Sequence, residues 1–251
     1  MDSVQEFIKQ FPTDKYQMAV ANKTRPQPVL NLFENTFEPN VDTNIDLDAD
    51  FDDEDIVVVL DEDETIVSTS PLEQIEESIL FVNSDLYRTG SVNLEELDVP
   101  SVLESLTETE FIVSGYPESN KEKLPLIAIS RQIEKYAYHK DGGTLRSSFQ
   151  RLSRLKDEAG TYRVYRNISE TNTDTHVYGV LDCLPDLNEL DLTVHGGLKE
   201  DFQSSWFVLY KNEDFSVALA AYELRPNYWS SVWTFDREYV EQLNNHIEKT
   251  L

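Results

Sequence analysis

The stretch from Thr144 to Leu181 constrains most strongly how this chain of 251 residues can fold. TLRSSFQ, entered through Gly142 and Gly143, can form a strand; DEAGTYRVYRNISET follows with helical character; DTHVYGVL is strand-like again. Strand, helix and strand at this spacing make a βαβ unit. Its crossover is expected to be right-handed, because a right-twisted strand that feeds a right-handed helix packs back onto its sheet in that sense.

The flanks supply the rest of a layered fold. Downstream, LDLTVHG, SWFVLYK, SVALAAYE and YWSSVWTF are strand-like, and the short links between the last three predict an antiparallel meander. Asp236 stands where it can cap a terminal helix that turns Val240, Leu243 and Ile247 inward. Upstream, Lys121 to His139 reads as a long helix whose opening LPLIAI is apolar all round, as in a helix buried on more than one side. Nearer the N-terminus, SVQEFIKQF spaces Val4, Phe7, Ile8 and Phe11 as one helical face, and YQMAVAN reads as a strand. A further helix is expected after Arg25 through Phe37. IVVVL and TIVSTS flank a polar turn as a hairpin, Ser70 to Glu73 has the form of a capping box, another short helix starts near Pro100, and TEFIVSGYP is a strand. Alternating helices and strands predict an α/β fold: a mixed sheet flanked by helices, with the βαβ unit, the C-terminal meander and the terminal helix.

Charge divides the chain unevenly. Residues 1–119 hold 28 acids and 5 bases, whereas residues 120–251 hold 20 and 16, within a formal net charge of −27. We therefore expect an acidic N-terminal lobe over 1–119 and a core over 120–251, packed together as one globular unit. So negative a chain repels nucleic-acid backbones and anionic membranes, which excludes direct nucleic-acid binding and membrane association as expectations. An acid-dominated surface repels itself in dilute buffer and is screened in concentrated salt, the balance suited to a salt-rich cytoplasm. The single cysteine, Cys183, cannot form an internal disulfide, no leader-like segment opens the chain, and the longest apolar runs are far short of a membrane span. A cytoplasmic location is expected.

Against that background Gly142 to Lys156, GGTLRSSFQRLSRLK, is basic throughout, with Arg146, Arg151, Arg154 and Lys156 and no acid. Charge-assisted donors beside a glycine pair can hold an anion, or the same bases can dock against the acidic half. Neither a phosphate-loop pattern nor a dinucleotide fingerprint is present, so no nucleotide cofactor is implied and the cofactor stays unknown. Asp46, Asp48, Asp50 and Asp52 fall in the frame of a calcium loop, but Phe51 and Val57 occupy the places of its glycine and bidentate glutamate, so a solvated acidic loop is expected. His139, His176, His195 and His246 show no zinc spacing with Cys183, and no metal site is expected. A pairing of Cys183 with His176 or His195 would be the nucleophile and base of a small-molecule enzyme. Trp206, Trp229 and Trp233 beside the final strands can either fill the core or wall an apolar ligand pocket.

In content and order LPLIAISRQIEKYA, GTLRSSFQRLSRL, DTHVYGVLD, SSWFVLYKNEDFSVALAAYE and VWTFDREYVEQL resemble the DICT sensory domain of diguanylate cyclases and two-component systems. The likeness is best from Asn120 to Leu251, and the type found in halophilic archaea extends upstream through Ser70 to Gly90. Ile129 to Glu134 and Phe149–Gln150 are its most specific pieces. The resemblance implies a sensory or signal-input module with no established catalytic activity and no agreed ligand, and it transfers no functional residues; a protein partner in signalling is expected, and the basic run adds a possible small anionic ligand. Arg146, Arg151 and Arg154 are the expected anion-binding set and Trp206 and Trp233 the apolar walls. The competing readings are an enzyme using Cys183 or a histidine, and a transcriptional adaptor that touches protein but not DNA.

Overall fold

The computed structural model describes residues 3–23, 34, 37, 41, 55–81, 99–114, 123–157, 159–183, 188, 190–197 and 201–251. In chain order these form helix α1 (Val4–Ile8), strands β1 (Gln17–Ala21), β2 (Ile56–Leu60) and β3 (Ile66–Pro71), helices α2 (Leu72–Phe81) and α3 (Ser101–Ser105), strand β4 (Phe111–Ser114), helix α4 (Leu124–Lys140), strand β5 (Thr144–Arg151), helices α5 (Ser153–Asp157) and α6 (Ala159–Ser169), strands β6 (Asp174–Val180) and β7 (Thr193–Gly197), helix α7 (Asp201–Ser204), strands β8 (Ser205–Lys211), β9 (Ser216–Arg225) and β10 (Tyr228–Thr234), and helix α8 (Arg237–Thr250).

The strands make two sheets. The smaller is antiparallel, β1-β2-β3; the larger has seven strands in the order β4-β10-β9-β8-β5-β6-β7. In the larger sheet β5, β6 and β7 run parallel and the remaining neighbours antiparallel, so the fold is the expected mixed α/β sheet with its βαβ unit, meander and terminal helix. The expected division at residue 119 lies between β4 and α4, while β4 joins the large sheet beside β10. The helix expected through Phe37 and the acidic loop from Asp46 to Asp52 lie almost wholly outside the described residues.

Alternation along the strands sends side chains to two faces. Leu145, Val208, Tyr210, Leu219, Trp229 and Trp233 join α4, α6 and the small sheet in one core; Phe207, Leu209, Ala218, Ala220 and Val232 join α1 and α8 in the other. Sheet faces covered on both sides explain why LPLIAI has no polar stripe: α4 packs on β8, β9 and β5 and also against α2 and α6. On α8, Asp236 caps the first turn by accepting from the Glu238 amide at 2.7 Å, and Val240, Leu243 and Ile247 are fully buried, each contributing ~1.5–3 kcal/mol by removal from water.

Two local signals act differently from the sequence expectation. Ser70 accepts a bond from the Val102 amide at 3.3 Å, so its hydroxyl serves the start of α3 from the end of β3. Gly142 and Gly143, at φ 131° and 82°, make the turn from α4 into β5. A Cβ on Gly143 would stand 2.3 Å from the Lys211 carbonyl oxygen, so the close approach that glycine permits here is to strand β8.

Candidate functional site

Strand β5 carries the basic run into the middle of the sheet. Leu145 and Arg146 point to opposite faces, and Arg146 faces α8, level with His176 on β6 and Leu209 on β8. Its side chain is 8% exposed. Nε donates to Asn244 Oδ1 at 2.8 Å, Nη1 to the Tyr178 hydroxyl at 2.7 Å, and Nη2 forms an ion pair with Glu248 Oε1. Asn244 and Glu248 are one turn apart on α8, so a single helical face meets the guanidinium. Asn244 and Tyr178 are buried, whereas the Glu248 side chain is 47% exposed.

The network continues away from α8. The Tyr178 ring stacks on His195 with centroids 4.4 Å apart and planes 7° from parallel. His195 Nε2 lies 3.0 Å from His176 Nδ1, and His176 Nε2 lies 2.9 Å from Asp174 Oδ2. If the carboxylate accepts the His176 Nε2 proton, His176 Nδ1 is an acceptor and His195 Nε2 the donor; a shared N···N bond holds one proton. Burial, then the neighbouring His176 and Arg146, hold His195 below the usual histidine pKa. Burial pushes the Tyr178 hydroxyl up, opposed by Arg146. The result is a continuous polar seam from an exposed carboxylate at the start of β6 to the last turn of α8.

A second buried network ties helix to helix. Arg131 Nη1 donates to Glu134 and Nη2 to the Thr161 hydroxyl, while the Tyr165 hydroxyl donates to Glu134 Oε1 at 2.9 Å. Burial, then the Glu134 charge, raises the Tyr165 pKa well above its ordinary value. In Ile129–Glu134, then, the polar residues Arg131 and Glu134 fasten α4 to α6, and Ser130 accepts from Trp206 Nε1 at 3.1 Å.

Of the residues singled out in the sequence, Arg146, His176 and His195 meet in the polar seam, and the others lie elsewhere. Arg151 is exposed at the end of β5 and Arg154 half-buried on α5. Trp206 is half-buried on β8, edge-on to Trp229 at 6.2 Å. Trp233 is fully buried three strands from β5, on the sheet face opposite Arg146, and donates to the Leu103 carbonyl at 3.1 Å. The acid beside Arg146 comes from α8, within residues 120–251, and not from the acidic half. Cys183 is a free, half-buried thiol three residues beyond the end of β6; His176, near that strand's start, has its two ring nitrogens facing Asp174 and His195. Sequence reasoning missed Asp174, Tyr178, Asn244 and Glu248. The period of two in DTHVYGV, which puts Asp174, His176 and Tyr178 on one face, was the available signal, as was the four-residue spacing of Asn244 and Glu248.

A mixed α/β sheet covered by helices on both faces, with a buried arginine joining the sheet to the terminal helix, places the chain in the α/β class. Residues 100–224 match the family model of DICT, the sensory domain in diguanylate cyclases and two-component systems, and the chain belongs to that family. No curated protein and no solved structure matches it. The matched span runs from the residue before α3 to the penultimate residue of β9. It contains Arg146, His176, Tyr178 and His195, and leaves Asn244 and Glu248 beyond its end. Among the described residues no helix is long and apolar enough to cross a membrane, and no group of three or more His, Cys, Asp and Glu is placed to hold a metal ion.

Proposed function

We propose that this chain is a non-enzymatic signal-input module of a signal-transduction system, which binds a small anionic ligand or a protein partner and responds by a shift between arrangements of its parts. The observation that carries the reading is the Arg146 node. A side chain inside the sensory-family match holds α8, an element beyond the match, through Asn244 and Glu248, so an event at the node reaches an element that a partner can read. Arg146 is the central anion-binding residue in this reading, with Arg151 and Arg154 supplying charge along the same segment; Trp206 and Trp233 pack in the core on the opposite sheet face and do not wall this site. The acidic 1–119 segment and the 120–251 core act as one unit in the cytoplasm of a halophilic organism, a reading supported by the net charge of −27.

Affinity purification from a salt-rich extract with crosslinking tests the proposal. A kinase, transducer or response regulator that co-elutes with the wild type, and is lost with Arg146→Ala and Asn244→Ala, is the expected result. A bound metabolite that is chemically converted would overturn it.

A further inference from the structure

The Arg146 site can be taken one step further, a step that rests on the anion reading above. A guanidinium carries five N–H groups. Among the described residues three of them are engaged, by Asn244, Tyr178 and Glu248, and one on each of Nη1 and Nη2 makes no bond, although the residue is only 6% exposed. The two terminal nitrogens of a guanidinium form a fork that phosphate and carboxylate groups bind through two oxygens. Glu248 engages the fork through a single oxygen, at one nitrogen.

We propose that Glu248 is a built-in competitor: its carboxylate occupies the place of a phosphate- or carboxylate-bearing ligand on Arg146, so that ligand binding and seating of the last turn of α8 exclude each other. The two sides of the site differ in how firmly they are held. Tyr178 is buried between His195 and Phe207, at centroid distances of 4.4 and 5.5 Å, and Asn244 is buried on the inner face of α8. Glu248 is half-exposed in the last turn of α8, and helix ends fray most readily. A half-exposed ion pair contributes little, so an anion that engages both terminal nitrogens replaces it at small cost. The remaining partners of Arg146 stay where they are when Glu248 leaves, and the cradle does not have to be rebuilt. The exposed side of Glu248 is also the path by which a ligand reaches an otherwise enclosed arginine.

The test is calorimetric titration of the full chain with inorganic phosphate and, separately, with acetate, at ionic strength held constant with KCl. If Glu248 occupies the fork about nine-tenths of the time, apparent affinity is reduced by that occupancy and Glu248→Gln binds about tenfold more tightly than the wild type. Arg146→Lys, which keeps the charge and loses the fork, abolishes the gain. Linkage requires the converse in the wild type: added phosphate speeds amide hydrogen exchange at residues 245–251, and does not do so in Glu248→Gln. Tightening with phosphate alone assigns a phosphoryl ligand; tightening with both assigns a carboxylate or mixed one. No binding by Glu248→Gln to either probe, in protein whose melting transition matches the wild type, overturns the proposal. If a signalling partner still co-purifies in that case, the signal-input reading survives and the competitor reading alone fails; tightened phosphate without any partner gives the reverse.

Discussion

Replacing Arg146 with alanine removes a side chain that bonds β5 to Tyr178 and Asn244 and to Glu248 at once. The two buried partners decide the size of the effect. Hydrogen bonds to a charged group contribute roughly 1.5–3 kcal/mol each, and truncation leaves the buried Asn244 amide oxygen without its donor. The Glu248 pair adds about 0–1 kcal/mol because that carboxylate is half in water. The relief of no longer burying a guanidinium offsets part of the loss. The expected cost is therefore about 3–5 kcal/mol for Arg146→Ala and under about 1 kcal/mol for Glu248→Gln. For a chain of this length each kcal/mol moves the melting temperature by about 2–4 °C, so Arg146→Ala is expected to melt roughly 10 °C below the wild type and Glu248→Gln within ~3 °C of it. Urea unfolding followed by tryptophan fluorescence and by far-ultraviolet circular dichroism checks both variants in the same buffer. Equal costs for the two substitutions would refute the reasoning, since they would mean that the exposed ion pair, and not the buried bonds to Asn244 and Tyr178, holds α8 to the sheet.

Further outcomes follow from the same geometry. His195 resists protonation in the folded chain while the unfolded chain takes the proton up near pH ~6.5, so the unfolded state binds more protons in acid and stability falls as pH drops below that value. The urea midpoint is expected to decline between pH 8 and 5, with a shallower slope in His195→Gln; identical slopes would remove the assignment. Gly143→Ala drives a Cβ into the Lys211 carbonyl and is expected to lower the melting temperature far more than Gly142→Ala, which meets no atom within 4 Å; comparable losses would show that backbone strain alone matters. Stability is expected to rise steeply from dilute buffer to ~1 M KCl, where the screening length falls to about 3 Å, and an unchanged melting temperature would argue against self-repulsion by the acid-rich surface.

How far the sequence could be read depended on the range of the interactions involved. Local ones left clear marks. The apolar spacing in α1 and α8, the Asp236 cap, the β-branched run of β2 and the strand–helix–strand rhythm of residues 144–180 are each set by neighbours a few positions apart, and each element stands where that pattern put it. Ser70 and the glycine pair were marked correctly as special positions but given the wrong partners, because α3 and β8 come together with them only in space. The tryptophans show the same limit. Alternation leaves the choice between core and pocket open, and Trp233 is buried because α3 and β10 meet there, 130 residues apart in the chain.

By itself the sequence determined the α/β class, the sensory-family membership, the strongly acidic balance and the place of Arg146 on a strand. The tertiary structure alone decided that β4 and β10 pair, that the antiparallel meander joins the parallel β5-β6-β7 group through β8, and that Arg146 meets Glu248 across 102 residues. The physical reason is that hydrophobic periodicity reports which side of an element turns away from water, and nothing more. A charged side chain that turns inward must find its partners among whatever the packed elements present, and that choice exists only once the sheet and α8 have closed over it.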